Sequence, residues 1–281
     1  VNLFMKCLAV LPLPVLRALG WLLGTAVYLG SGRRRRIART NLRLAFRQAS
    51  ADRIEGLVRG HFIALAQSLL DRAWLWHGSE ALVRSRITVH GAHTLAAHER
   101  IIMLAPHMVG VDMGGSRLAM EGRPMTTLYQ PQRNQAMDAA ILAGRKRFGN
   151  VTVYSRQEGV RKTLTDMKAG YMFYCLPDMD FGPKDAVFVP LFGELAATLT
   201  VLPKLARLAK AVVVPVITRM TRDGYDIHVE TAWTDMAQMD VEQAARRMNA
   251  AVEGWALAAG PEYLWSHRRY KTRPEGGASI Y

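Results

Sequence analysis

Residues 100–115 read RIIMLAPHMVGVDMGG. The run from Ile101 to Ala105 is wholly apolar, of strand length, and stopped by Pro106. Unbroken apolarity over so few residues marks a strand covered on both faces, as in a parallel sheet. A helical segment follows over roughly 109–121, which puts His107 at a strand-to-helix junction. In open α/β sheets, ligands bind beyond the carboxyl ends of the strands. His107 stands at such an end, with Asp112 five positions on.

The same alternation extends outward from this segment. RITVHG (86–91), MTTLYQ (125–130), VTVYS (151–155), YMFYCLP (171–177), AVVVPVITRM (211–220) and YDIHVETAW (225–233) read as strands. Between them, NQAMDAAILAGRKRFG (134–149) and EGVRKTLTDMKAG (158–170) read as helices closed by glycine, and a further helix is expected near 199–210. The last helix starts at Asp240, with Gln243 three residues on in a capping-box arrangement, and runs to about Ala259. Residues 178–198 read as a long loop. Strands alternating with helices require crossover connections, hence a mostly parallel or mixed central sheet flanked by helices. No repeat, low-complexity tract or linker divides the chain. Its α/β core is expected over 86–281, preceded by a helical lead-in over 37–85 within one domain. In that lead-in, His61 is expected on a helix surface, and Trp74 and Trp76 as packing residues.

The first 36 residues form a separate region, a hydrophobic anchor and its basic flank. From Cys7 the sequence is apolar, interrupted by Arg17 and by Pro12 and Pro14, and it ends in Arg33–Arg36. This length borders on what a bilayer crossing requires; the alternatives are an amphipathic helix lying in the interface, or a buried core helix. A cleaved signal peptide fits less well, because a charged n-region is nearly absent and no small-residue cleavage pattern precedes the arginines. Arg33–Arg36 would hold its side of the membrane cytoplasmic. Across the chain, 37 basic residues outnumber 23 acidic ones, a net charge of +14. Anionic partners are favoured. Nucleic acid accounts for the charge alone, with no zinc-finger, RNP-like or helix-turn-helix pattern, whereas an anionic membrane accounts for the charge and the apolar N-terminus together. Two cysteines, Cys7 and Cys175, both in apolar surroundings, give no disulfide framework and fit a reducing compartment.

With eight histidines and 23 acidic residues in 281 positions, one His-x4-acid spacing is no more than chance supplies. Context makes it informative. Within one continuous helix the two residues would lie about 140° apart. With His107 in the turn before the helix, Asp112 lies one turn in, its side chain tilted back toward the N-terminus and able to reach an imidazole nitrogen. That is a base with its orienting carboxylate. Gly110, Gly114 and Gly115 are costly in a helix and point to close backbone approach. No G-x-S-x-G elbow or metal cage accompanies the pair. A base without an enzyme nucleophile most simply deprotonates a substrate hydroxyl for attack on an acyl donor. The enzymatic rival is a metal-dependent glycosyltransferase using DMD at 178–180; a non-enzymatic basic membrane-binding protein is the other.

The chain resembles the lipid A biosynthesis acyltransferases, the lauroyl/myristoyl transferase branch of the lysophospholipid acyltransferase-like enzymes. The resemblance runs through the His107-x4-Asp112 element, LYQPQRN (128–134), GRKRFG (144–149), LPDMDFGPKDAVFVPLFGELAAT (176–198) and YLWSHRRYKTRPEG (263–276), in family order over essentially the whole chain. It implies a glycerolipid acyltransferase-like fold with an N-terminal anchoring helix at the inner membrane, the catalytic part on the cytoplasmic side. It implies acyl transfer from acyl carrier protein to a hydroxyl of a lipid A precursor, with His107 as general base, Asp112 as its orienter, and no cofactor or metal. Asp112 stands where better-known members carry glutamate, which shortens its reach. Arg145 of the GRxR element, with Arg147 beside it, is implied in the site as an oxyanion or phosphate binder. Asp178 and Asp180 match the family's D-x-D-x-G loop. Arg268, Arg269, Lys271 and Arg273 would grip acceptor phosphates or the acidic carrier; their alternative is a solvated basic tail. A lysophospholipid or other glycolipid acceptor is the runner-up.

Overall fold

The computed structural model describes residues 2–281. Five helices lead: α1 (Asn2–Ala9), α2 (Leu13–Gly30), α3 (Gly32–Ala45), α4 (Ala51–His77) and α5 (Glu80–Arg86). The chain then runs β1 (Ile87–His90), α6 (His93–Ala96), β2 (Ile101–Leu104), α7 (Val111–Ala119), β3 (Met125–Tyr129), α8 (Gln135–Arg145), β4 (Val151–Ser155), α9 (Arg156–Lys168) and β5 (Met172–Cys175). It closes with β6 (Ala186–Leu191), β7 (Glu194–Leu199), α10 (Val201–Ala209), β8 (Val212–Met220), β9 (Tyr225–Val229) and α11 (Val241–Ala259).

Seven strands form one sheet in the order β1-β9-β8-β2-β5-β3-β4, in which only the β8–β9 pair is antiparallel. The expected helix-flanked, mostly parallel sheet is therefore present. β2 lies at its centre with every residue buried. Its side chains alternate between two cores: Ile101 and Met103 pack with Trp74 and Tyr225 on one face, Ile102 and Leu104 with Phe173 and Leu202 on the other. The glycines of α7 serve that packing. A Cβ on Gly114 would sit 2.2 Å from Thr218 Oγ1, so α7 rides directly on β8.

α2 packs lengthwise on α4. A Cβ on Gly24 would fall 2.5 Å from Ile63 Cα, which makes this a backbone-to-backbone approach that only glycine permits. Arg17, the one charge in the apolar run, is spent within the fold: its Nη2 lies 3.0 Å from the buried carboxylate of Asp71, which also accepts from Tyr225 Oη and Trp74 Nε1. The opposite side of α2 exposes Trp21, Leu22 and Leu23. The helix is long and apolar enough to cross a membrane, yet one side of it belongs to the domain. Arg33–Arg36 begin α3, where Arg34 and Arg35 donate to the carbonyls of Ser266 and Tyr28.

Three expectations differ from the structure. His61 is fully buried rather than on a helix surface; Nδ1 faces the Pro261 carbonyl and Nε2 the Ser266 hydroxyl. α8 ends at Arg145, and Gly149 (φ +63°) is required instead where a Cβ would strike the Ala119 carbonyl. The loop expected over 178–198 contains the β6–β7 hairpin. Its turn residues Phe192 and Gly193 both have positive φ, the geometry of a type I′ turn. Phenylalanine is a poor signal for that turn. It is held there by tertiary bonds: its N–H donates to Glu253 and its carbonyl accepts from Arg47.

Candidate active site

His107 lies in the connection between β2 and α7, and the C-terminal segment fixes that connection. The His107 carbonyl accepts from the Leu264 N–H (3.0 Å), and the Val109 N–H donates to the Glu262 carbonyl (2.8 Å). That segment is held in turn by Asn41, whose amide donates to the carbonyls of Trp265 and His267 at 2.7 Å each. The YLWSH stretch thus has a physical task, which is to fix the backbone around the histidine.

Asp178, three residues past β5, orients the imidazole. Its Oδ1 lies 2.6 Å from His107 Nδ1, and its Oδ2 accepts the His107 main-chain N–H at 2.9 Å. The Tyr263 hydroxyl also helps to hold the same carboxylate ionised. Burial pushes the Asp178 carboxyl up, but His107 and these donors outweigh it and hold it at about 2. An ionised carboxylate on Nδ1 fixes the proton there and leaves Nε2 as the basic nitrogen. Among the described residues, Nε2 has no hydrogen-bond partner.

Asp112 does something different from what the spacing implies. It does not hydrogen-bond to His107. Instead it is clasped between two guanidiniums: Arg145 reaches Oδ1 with Nε at 3.0 Å and Nη2 at 2.9 Å, and Arg72 reaches Oδ2 at 2.5 Å. Burial raises its carboxyl, and the two arginines together bring it down to about 2. The physical reason is that α7 sets Asp112 toward α4 and α8, which carry the arginines, while β5 delivers Asp178 directly beside the His107 turn. Two cations on one carboxylate leave about one net positive charge on this wall. Arg72 was not legible as a site residue. Its signal is only a DR pair within a helical run, and nothing local announces that α4 reaches the strand ends.

His107, Asp112, Arg145 and Arg72 line one cavity of about 410 Å³ between α7, α8 and the sheet. Met125, Thr127 and Tyr129, alternate residues of β3, form one wall, and Val151, the register partner of Met125, adjoins its far end. Cys175 also lines the cavity, and burial keeps its thiol protonated; Cys7 is exposed.

The remaining candidates lie elsewhere. Asp180 accepts from the N–H and hydroxyl of Thr272 (2.7 and 2.8 Å) and clasps the C-terminal segment. With Asp178 on His107 and Asp180 on Thr272, the DMD carboxylates are occupied by protein donors, and the metal-binding DxD reading loses its basis. Arg147 donates to the carbonyls of Leu75 and Gly78 at the end of α4, outside the cavity. Arg269 is buried and donates to the Ala197 carbonyl and the Thr198 hydroxyl, and Arg273 reaches the Leu195 carbonyl and Glu194. Arg268 stacks over Tyr281, and only Lys271 is exposed in the manner of a free basic tail.

Comparison with known proteins agrees with this arrangement. The sequence profile of the bacterial lipid A biosynthesis acyltransferases matches residues 1–272. The chain is 32% identical to a lipid A biosynthesis acyltransferase of Haemophilus influenzae, over 97% of its own length and 87% of the relative's. It is 31% identical to both the lipid A biosynthesis palmitoleoyltransferase and the lauroyltransferase of Escherichia coli, in each case over 96% of this chain and 90% of the relative. An α/β sheet that presents a carboxylate-held histidine at its strand ends, continuous likeness along the chain, and relatives of one named activity agree: the chain belongs to the bacterial lipid A biosynthesis acyltransferases.

Proposed function

We propose that this acyltransferase moves a fatty acyl chain from acyl carrier protein to a hydroxyl of a lipid A precursor, with His107 as the general base. The observation that carries this reading is the His107–Asp178 pair, whose Nε2 is the uncommitted nitrogen of a histidine that lines the cavity. Nε2 takes the hydroxyl proton as the acceptor oxygen attacks the thioester carbonyl. The tetrahedral intermediate then collapses with loss of the C–S bond, and the imidazolium returns its proton to the leaving thiolate. Asp178 holds the tautomer and stabilises the imidazolium. The Arg72–Asp112–Arg145 wall binds the anionic part of the acceptor, and Asp112 acts as the brace that keeps two like charges side by side. The apolar reach toward Met125 and Val151 takes the acyl chain.

The exposed side of α2, with Trp21, Leu22 and Leu23, lies in the membrane interface while its glycine side stays on α4. Such an orientation suits an acceptor drawn from the cytoplasmic face of the inner membrane. The test is transfer of a labelled acyl chain from acyl carrier protein to a lipid A precursor, followed by mass spectrometry of the product. His107→Ala is expected to abolish the added acyl mass while leaving membrane association intact. Turnover near that of the unmodified chain would remove His107 from the chemistry.

A further inference from the structure

The sequence shows no metal cage because His90 is distant along the chain from Asp226 and His228. The fold brings three of them to the surface of the sheet's edge. β1 is the edge strand and β9 its parallel neighbour, with His90 directly opposite His228 in the register. Residues two apart on a strand share a face, so the D-x-H of β9 places Asp226 on the side that carries both histidines. The two imidazoles stack with centroids 4.9 Å apart, and His90 Nε2 lies 3.6 Å from Asp226 Oδ1. One donor atom from each residue falls within 4.8 Å of the other two.

We propose that His90, Asp226 and His228 form a surface binding site for a zinc-like divalent transition metal ion, remote from the acyl-transfer cavity. Two imidazole nitrogens and one carboxylate oxygen are a donor set suited to zinc, whereas magnesium and calcium take oxygen ligands. In a tetrahedral zinc site the bond lengths of about 2.1 Å put neighbouring donors about 3.4 Å apart. The His90–Asp226 separation is already near that, and small side-chain rotations bring in His228. The fourth position faces solvent and takes water. The local charge permits a cation even though the chain is strongly basic. Arg219, across the ladder from Asp226 on β8, is turned to Glu262, and among the described residues the ionic partner of Asp226 is His90 alone. A bound ion would cross-link the edge strand to its neighbour, so occupancy stabilises the folded chain by mass action.

The test is zinc binding by equilibrium dialysis to the full, tag-free chain in detergent, with melting temperature recorded in parallel. One zinc per chain is expected, along with a rise in melting temperature on zinc addition. His90→Ala and His228→Ala should each weaken binding at least ~10-fold, since even partners of metal ligands contribute that much, and both should lose the thermal shift. His93→Ala, a change at an exposed histidine outside the cluster, should retain both. Circular dichroism confirms that the surface variants are folded. Absence of zinc from the unmodified chain, or equal binding by His228→Ala, would overturn the assignment.

Discussion

His107 and Asp178 are joined twice: Nδ1 lies 2.6 Å from one carboxylate oxygen, and the main-chain N–H donates to the other at 2.9 Å. The second bond matters as much as the first. It ties the orienting carboxylate to the backbone of the residue it orients, so ring and carboxylate shift together or not at all. Asp112, the acid that sequence spacing nominates, is engaged with Arg145 and Arg72. Each of the two acids therefore has a separable consequence.

Acid should remove stability in two stages. Burial holds His61 and His267 down to about 4, against about 6.5 for an unfolded histidine. As pH falls from about 6.5 to about 4, the unfolded chain takes up protons there that the folded chain refuses, and stability drops. Asp112 and Asp178 are held at about 2, against about 3.9 unfolded, so their contribution is complete above about 4 and lost as pH falls toward 2. Denaturant unfolding of the detergent-solubilised chain across pH 2–8 measures this. His61→Gln should reduce the upper stage to the share of His267 and leave the lower one unchanged.

Arg145 and Arg147 sit two residues apart and should fail differently. Arg145→Ala removes a charged hydrogen-bonding group from the cavity wall, and steady-state kinetics should show a rise of ~10- to 100-fold in KM for the acceptor with kcat largely kept, corresponding to about 1.5–3 kcal/mol. A fall in kcat instead would place Arg145 on the oxyanion. Arg147→Ala frees the Leu75 and Gly78 carbonyls and should lower the melting temperature with little change in KM.

Acyl length should respond to the far end of the cavity. Met125→Trp adds bulk to a buried wall residue, and an overpacking cost of about 1–3 kcal/mol is ~5- to 150-fold against the longest chain accepted. Competition among acyl carrier proteins loaded with different chains should show a shift toward shorter products. An unchanged product distribution would place the acyl chain elsewhere.

Much of this was readable from the residues. The apolar run before Pro106 locates the central strand, and its end locates the histidine, because a strand buried on both faces has no other place in an α/β sheet. The family likeness added Asp178 as a site residue without assigning it to His107. What local pattern cannot reveal is which acid a strand end meets, since Asp178 is 71 residues away and is delivered by sheet order alone. Arg72 was hidden for the same reason, in a helix whose only local message is burial. The C-terminal basic cluster misled in the opposite sense: Arg269 and Arg273 cap carbonyls of β7, a use of charge that composition does not distinguish from a substrate-binding tail. The β6–β7 hairpin escaped because its turn begins with Phe192, which only tertiary contacts make tolerable.

The most direct measurement is the single-turnover rate of acyl transfer at saturating acceptor, compared between Asp178→Asn and Asp112→Asn. Asp178→Asn keeps the shape of the carboxylate but removes the charge that fixes the His107 tautomer, and the chemical step should slow on the order of 10³- to 10⁴-fold. Asp112→Asn should act chiefly through acceptor binding and leave that rate within about tenfold once the acceptor is saturating. The reverse order, with Asp112→Asn crippling the step and Asp178→Asn sparing it, would contradict the assignment of Asp178 as the residue that orients the base.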